Sequence, residues 1–137
     1  MGSGYRGYSH TQGATERFKS QKLMDELKNS GVKYTEKDVV LVAKNYYGKL
    51  LWLEKGNESS GLKHIEMRHQ KEFGKNTDIK DLLMKILPLK PVKRFSRGKG
   101  KRLSDVYLYK KNSKHYLVAY GDNGYIVSFY PYEEGKY

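Results

Sequence analysis

The chain of 137 residues contains no cysteine, which excludes disulfides and thiol catalysis without choosing a compartment. No apolar run approaches the roughly 20 residues that a membrane helix needs. The opening stretch Met1-Gly-Ser-Gly-Tyr-Arg-Gly-Tyr8 lacks the apolar centre of a secretory signal. The expectation is a soluble protein, cytoplasmic in its host or in a target cell, with no membrane partner. A domain imported into another cell would also lack such a signal. No repeat and no long linker divides the sequence, which reads as a flexible arm over residues 1–12 and a single domain over 13–137. Acidic residues are scarce, with 15 Asp+Glu against 27 Lys+Arg and a formal net charge of +12. A field of that sign favours polyanions, of which nucleic acid is the commonest, although anionic surfaces and acidic proteins share the attraction.

Residues 1–12 are rich in Gly, Tyr and Ser with no apolar period; Tyr5, Arg6, Tyr8 and His10 could touch nucleic acid there, or form an ordinary tail. A first helix is expected from about Ala14 to Asn29, with Phe18, Leu23, Met24 and Leu27 as its stripe and Asn29-Ser-Gly31 as its stop. Val39–Val42 and Leu50–Leu53 read as a hairpin across Asn45-Tyr-Tyr-Gly48. Asn57-Glu-Ser-Ser60 offers caps for a helix that runs to about Gly74. Thr77-Asp78 starts another, with Ile79, Leu82, Leu83 and Ile86 inward and Pro88 and Pro91 as its end. Lys90 to Arg102 reads as a basic loop able to wrap a phosphate backbone, or as a solvated connector. Val106–Tyr109, Tyr116–Tyr120 and Tyr125–Tyr130 form a β-meander, with Asn123-Gly124 as its sharpest turn. Helices segregated before an antiparallel sheet give an α+β domain.

The most informative stretch is Trp52-Leu-Glu-Lys-Gly56 followed by Gly61-Leu-Lys-His64-Ile-Glu-Met-Arg68-His69. Metal-free RNA cleavage needs two imidazoles, one to take the proton of a 2′-hydroxyl and one to protonate the departing 5′-oxygen. With an ordinary pKa of about 6.5, histidine serves as either near neutral pH. Zinc is the competing use of a histidine pair. The i, i+5 spacing turns the second ring by about 140° on a regular helix, and no third ligand stands nearby, so no metal and no cofactor are expected. Glu54 could be a base, or a hydrogen-bonding partner that orients a motif residue. Trp52 could stack a nucleotide base, or belong to the core.

The order of these pieces resembles the barnase, EndoU, colicin and RelE-like (BECR) ribonucleases, in particular their phage-associated branch. The matching features are Trp52-Leu-Glu54-Lys-Gly56, Gly61-Leu-x-His64-Ile-x-x-Arg68-His69, a helix, a basic stretch and the closing Gly124-Tyr-Ile-Val-Ser128-Phe-Tyr130-Pro131, over about residues 36 to 132. The resemblance implies helices packed on a curved antiparallel sheet and metal-independent cleavage to a 2′,3′-cyclic phosphate. It implies His64 and His69 as the catalytic pair, supported by Ser128 and Tyr130. Residues two apart on a strand share a face, which independently puts Ser128 beside Tyr130. For the phosphate, Lys63 adjoins His64, but Arg68, four residues on, is better placed on a helix. Arg94, Arg97 and Lys99 of the basic stretch are further phosphate ligands. RNA, either tRNA or mRNA, is the implied substrate, and an acidic immunity or antitoxin protein the implied partner of such a toxin or mobile-element effector. The alternative is a non-catalytic protein of a phage or mobile element that binds nucleic acid or a host protein, or inhibits a host enzyme.

Overall fold

The computed structural model describes residues 17–97 and 102–133. Three helices, α1 (Gln21–Asn29), α2 (Leu62–Phe73) and α3 (Ile79–Ile86), accompany strands β1 (Val39–Lys44), β2 (Leu50–Glu54), β3 (Lys93–Arg97), β4 (Arg102–Tyr109), β5 (Lys114–Gly121) and β6 (Ile126–Tyr132). β1 and β2 form an antiparallel ribbon, and β3-β4-β5-β6 an antiparallel meander. This is an α+β fold, and the sheet is not a closed barrel. Ribbon and meander meet at one seam, where the Trp52 N–H donates to Gly124 O at 3.0 Å beside a parallel bridge from Trp52 to Tyr125. Among the described residues no helix is long and apolar enough to cross a membrane.

Strand alternation sorts the meander into two faces. Cross-strand partners share a face, so Asp105, Val118 and Phe129 point one way together with Tyr107, Tyr116 and Tyr120. That face carries the main core, against Ile65 of α2, Ile79, Leu83 and Ile86 of α3, and Leu41, Leu51 and Leu53 of the ribbon. Burial of Ile79, Leu82, Leu83 and Ile86 of α3 alone contributes on the order of 6–12 kcal/mol before entropy is subtracted. The opposite face carries Ser104, Ala119 and Ser128 in one row and Val106, Leu117 and Tyr130 in the next. The ribbon is two-sided as well: Val42 and Trp52 pack on Met24 and Leu27 of α1.

Three expectations are corrected. The first helix is not continuous into its expected start: α1 begins at Gln21, because Ser20 is extended and its Oγ accepts the Leu23 N–H at 3.2 Å. Phe18 accordingly joins the main core while Met24 and Leu27 pack beneath the ribbon. The N-cap of α2 is Gly61, with no side-chain cap bond, and not one of the cap residues at 57–60. Most consequentially, the basic stretch is not all loop. Lys93–Arg97 pairs in full register with β4, since a Lys-Arg-Phe-Ser-Arg run needs only a neighbouring edge to become a strand. The 1–12 arm lies outside the described residues.

Candidate active site

Two glycines build the site. The segment between β2 and α2 folds back on itself, with Asn57 N–H donating to Ser60 O at 2.9 Å and Lys63 N–H to Lys55 O at 2.8 Å. Gly56 (φ +69°) and Gly61 (φ +88°) face each other across this neck, and a Cβ on Gly61 would lie 2.8 Å from Gly56 Cα and 2.9 Å from Glu54 O. Only glycine tolerates that approach and that backbone. The neck delivers the start of α2 to β6, where Gly61 N–H donates to Val127 O at 3.1 Å. His64 thereby arrives beside Ser128.

Four of the expected residues converge here. His64 Nε2 lies 3.2 Å from Ser128 Oγ, and its Nδ1 lies 2.9 Å from Glu58 O. The His64 and His69 rings meet edge to face, with centroids 5.7 Å apart. His69 in turn lies over Tyr130, at 4.7 Å between centroids and 30° between planes. The 140° between the two histidines does not separate them, because buried Ile65 docks the helix between them. Measured from Ile65, His64 is turned about 100° one way and His69 about 40° the other. Ser128 is buried and Tyr130 half-buried, on the one face that alternation assigns them.

The hydrogen bonds fix which nitrogen of each ring is available. A carbonyl oxygen only accepts, so His64 Nδ1 carries a hydrogen and donates to Glu58 O; Nε2 of the neutral ring is then the lone-pair end, and Ser128 donates to it. His69 Nδ1 donates to Glu72 Oε2 at 2.9 Å, leaving its Nε2 without a hydrogen bond to another described residue. Neither Glu72 nor the Glu58 carbonyl was among the expected site residues. The i, i+3 spacing from His69 to Glu72 could have revealed the first. A backbone oxygen in a folded-back loop leaves no mark in a sequence. Among the described residues no three His, Cys, Asp or Glu side chains gather as a metal-binding group.

The remaining expected residues divide. Lys63 and Arg68 are exposed on α2, and Arg68 has no ion pair with another described residue. Arg97 ends β3 opposite Arg102, whose place in the register puts it on the face of Ser104 and Ser128. Lys99 lies outside the described residues. Arg94 does not share the site: alternation turns it to the other face, where Nε donates to Asp105 Oδ1 at 2.7 Å and Nη2 to Oδ2 at 3.2 Å. Bonded to that fully buried carboxylate, its guanidinium is held charged well above its ordinary range. Tyr120 OH also donates to Asp105, at 2.7 Å. Burial pushes the Tyr107 and Tyr120 hydroxyls well above the ordinary tyrosine range. Glu54 and Trp52 sit apart from the histidines too. Trp52 is buried against α1, and its Nε1–H donates to Glu54 Oε2 at 2.9 Å, which also accepts the Thr35 N–H at 3.1 Å. Glu54 therefore orients a motif residue, and that residue is the tryptophan. His115 pairs with Tyr132, on the face of Tyr130.

Set against protein-family models and against curated proteins, the sequence matches none.

Proposed function

We propose that the protein is a metal-independent endoribonuclease that cleaves by attack of a ribose 2′-hydroxyl, leaving a 2′,3′-cyclic phosphate. The observation that carries this reading is the pair of imidazoles whose Nδ1 atoms are both engaged, by Glu58 O and Glu72, so that both Nε2 atoms are left for chemistry. His64 Nε2 takes the 2′-proton, the 2′-oxygen bonds to phosphorus, and the bond from phosphorus to the 5′-oxygen breaks as His69 Nε2–H protonates it. His69, whose ring the Glu72 carboxylate orients through Nδ1, takes the acid role. His64, whose Nε2 already accepts from Ser128, takes the base role. Ser128, now donating to His64, holds the place that the 2′-hydroxyl would take, and Tyr130 fixes the His69 ring. Arg68, one helical turn from His64, is the cation for the developing phosphorane charge. The positive field draws RNA in, with tRNA or mRNA as the substrate. The resemblance to the BECR ribonucleases adds the setting of a toxin or mobile-element effector with an acidic neutralising partner.

The test is incubation of tRNA and a structured mRNA with the protein in EDTA, beside folded His64→Ala and His69→Ala variants, with product ends examined for cyclic phosphate. Either substitution should cost about 10² to 10⁴ in rate. Glu72→Gln should cost less, about tenfold, equivalent to roughly one charge-assisted hydrogen bond. Full activity in a folded double-histidine variant would end the proposal. Salt-sensitive binding without cleavage by the parent would favour the binding-protein alternative.

A further inference from the structure

The tip of the ribbon presents two aromatic rings to solvent. Tyr46 and Tyr47 are 51% and 53% exposed and meet edge to face at 5.1 Å. The turn that carries them is stiff: Asn45 Oδ1 accepts the N–H of Tyr47 at 2.9 Å and of Lys49 at 3.0 Å. Arg94 lies over the Tyr47 ring, with its Cζ 4.3 Å from the centroid. That guanidinium is anchored by Nε and Nη2 to buried Asp105, yet 41% of the side chain is exposed, and Nη1 has no partner among the described residues. A buried carboxylate thus anchors a cation over the ring of an exposed aromatic, with one pair of N–H donors unpaired among the described residues.

We infer that Tyr46, Tyr47 and Arg94 form a second RNA-contact site, which takes one unpaired nucleotide with its base stacked on one of the two tyrosine rings, the other meeting it at the edge, and its phosphate on Arg94 Nη1. Every base offers a π-face, so stacking of this kind is tolerant of sequence, and a guanidinium supplies the charge-assisted bond to phosphate. The choice of RNA over other polyanions rests on the proposed function. The site is separate from the histidines, since β3 and β6 are the two edges of the meander, three strand spacings or about 14 Å apart. A paired base has no free face to offer, which restricts the site to single strands or loops.

The probe is a labelled single-stranded 12-mer RNA with every 2′-hydroxyl methylated, so that it binds without being cut, beside a duplex of the same length. By fluorescence anisotropy, the Tyr46→Ala/Tyr47→Ala variant should lose at least tenfold in affinity for the single strand and less than threefold for the duplex. The Tyr46→Phe/Tyr47→Phe variant should retain parental affinity, because stacking needs the ring and not the hydroxyl. Unchanged single-strand affinity in the alanine variant overturns the inference, as does failure of the parent to bind the 12-mer. Neither result touches the proposed activity, which a cleavable dinucleotide too short to span both sites reports separately.

Discussion

Replacing Gly61 with alanine should damage the protein far more than replacing Gly31, although both glycines have positive φ, +88° and +84°. At Gly31 a Cβ meets nothing within 4 Å, so the cost is the backbone conformation alone, about 1–2 kcal/mol. At Gly61 ψ is −168°, a region essentially reserved for glycine, which costs about 1–3 kcal/mol. The new methyl also meets only backbone atoms, at 2.8 and 2.9 Å, so the neck must open. Opening it strains the bonds from Gly61 N–H to Val127 O and from Lys63 N–H to Lys55 O, each with a net contribution of about 1 kcal/mol. The sum is about 3–5 kcal/mol, a large part of the 5–15 kcal/mol that stabilises a typical domain. The assay is urea unfolding followed by the fluorescence of Trp52, the only tryptophan in the chain and 1% exposed. A Gly61→Ala midpoint no lower than that of Gly31→Ala would refute the claim that the two-glycine neck sets the start of α2.

Two further predictions concern the helix-covered face. Asp105→Ala leaves Arg94 without its carboxylate and Tyr120 without its acceptor, and should destabilise by about 3 kcal/mol, the low end for a broken buried pair because Arg94 is partly exposed; urea midpoints measure this, and a loss below about 1 kcal/mol would contradict it. Tyr107 and Tyr120 have raised pKa values in the folded protein, so their contribution is complete below the unfolded tyrosine value of about 10 and is lost as pH rises above it, where the unfolded chain binds fewer protons. Unfolding midpoints at pH 9 and 11 should therefore fall steeply in the parent and less in Tyr107→Phe. That variant should also be neutral or slightly stabilised at pH 7, because the Tyr107 hydroxyl has no protein partner among the described residues.

Local signals made much of the fold legible. The ribbon, the meander and α3 follow from apolar period and turn chemistry, and Asp78 caps α3 as its residue type suggests. The pairing of Ser128 with Tyr130 followed from strand alternation alone. What escaped the sequence depends on distant partners. Lys93–Arg97 has the composition of a loop, and β4 makes it a strand. A loop gives alternation nothing to act on, so only the strand shows that Arg94 faces Asp105 and not the histidines. The meeting of His64 and His69 likewise depends on how Ile65 docks, which a helical wheel of α2 by itself does not contain.

The bond between His64 and Ser128 spans 64 positions of chain, and β6 is the last of the described strands. A ribosome releases the chain from its N-terminus at about 5–20 residues per second, so Ser128 follows His64 by about 3–13 s. Through that interval α2 lacks β6, the strand that carries Ser128 and Tyr130, and its two imidazoles are without the surface on which they meet. A nascent chain therefore carries its histidines in an unassembled form beside the RNA that is encoding it, and the site closes only when nearly the whole described chain has been made.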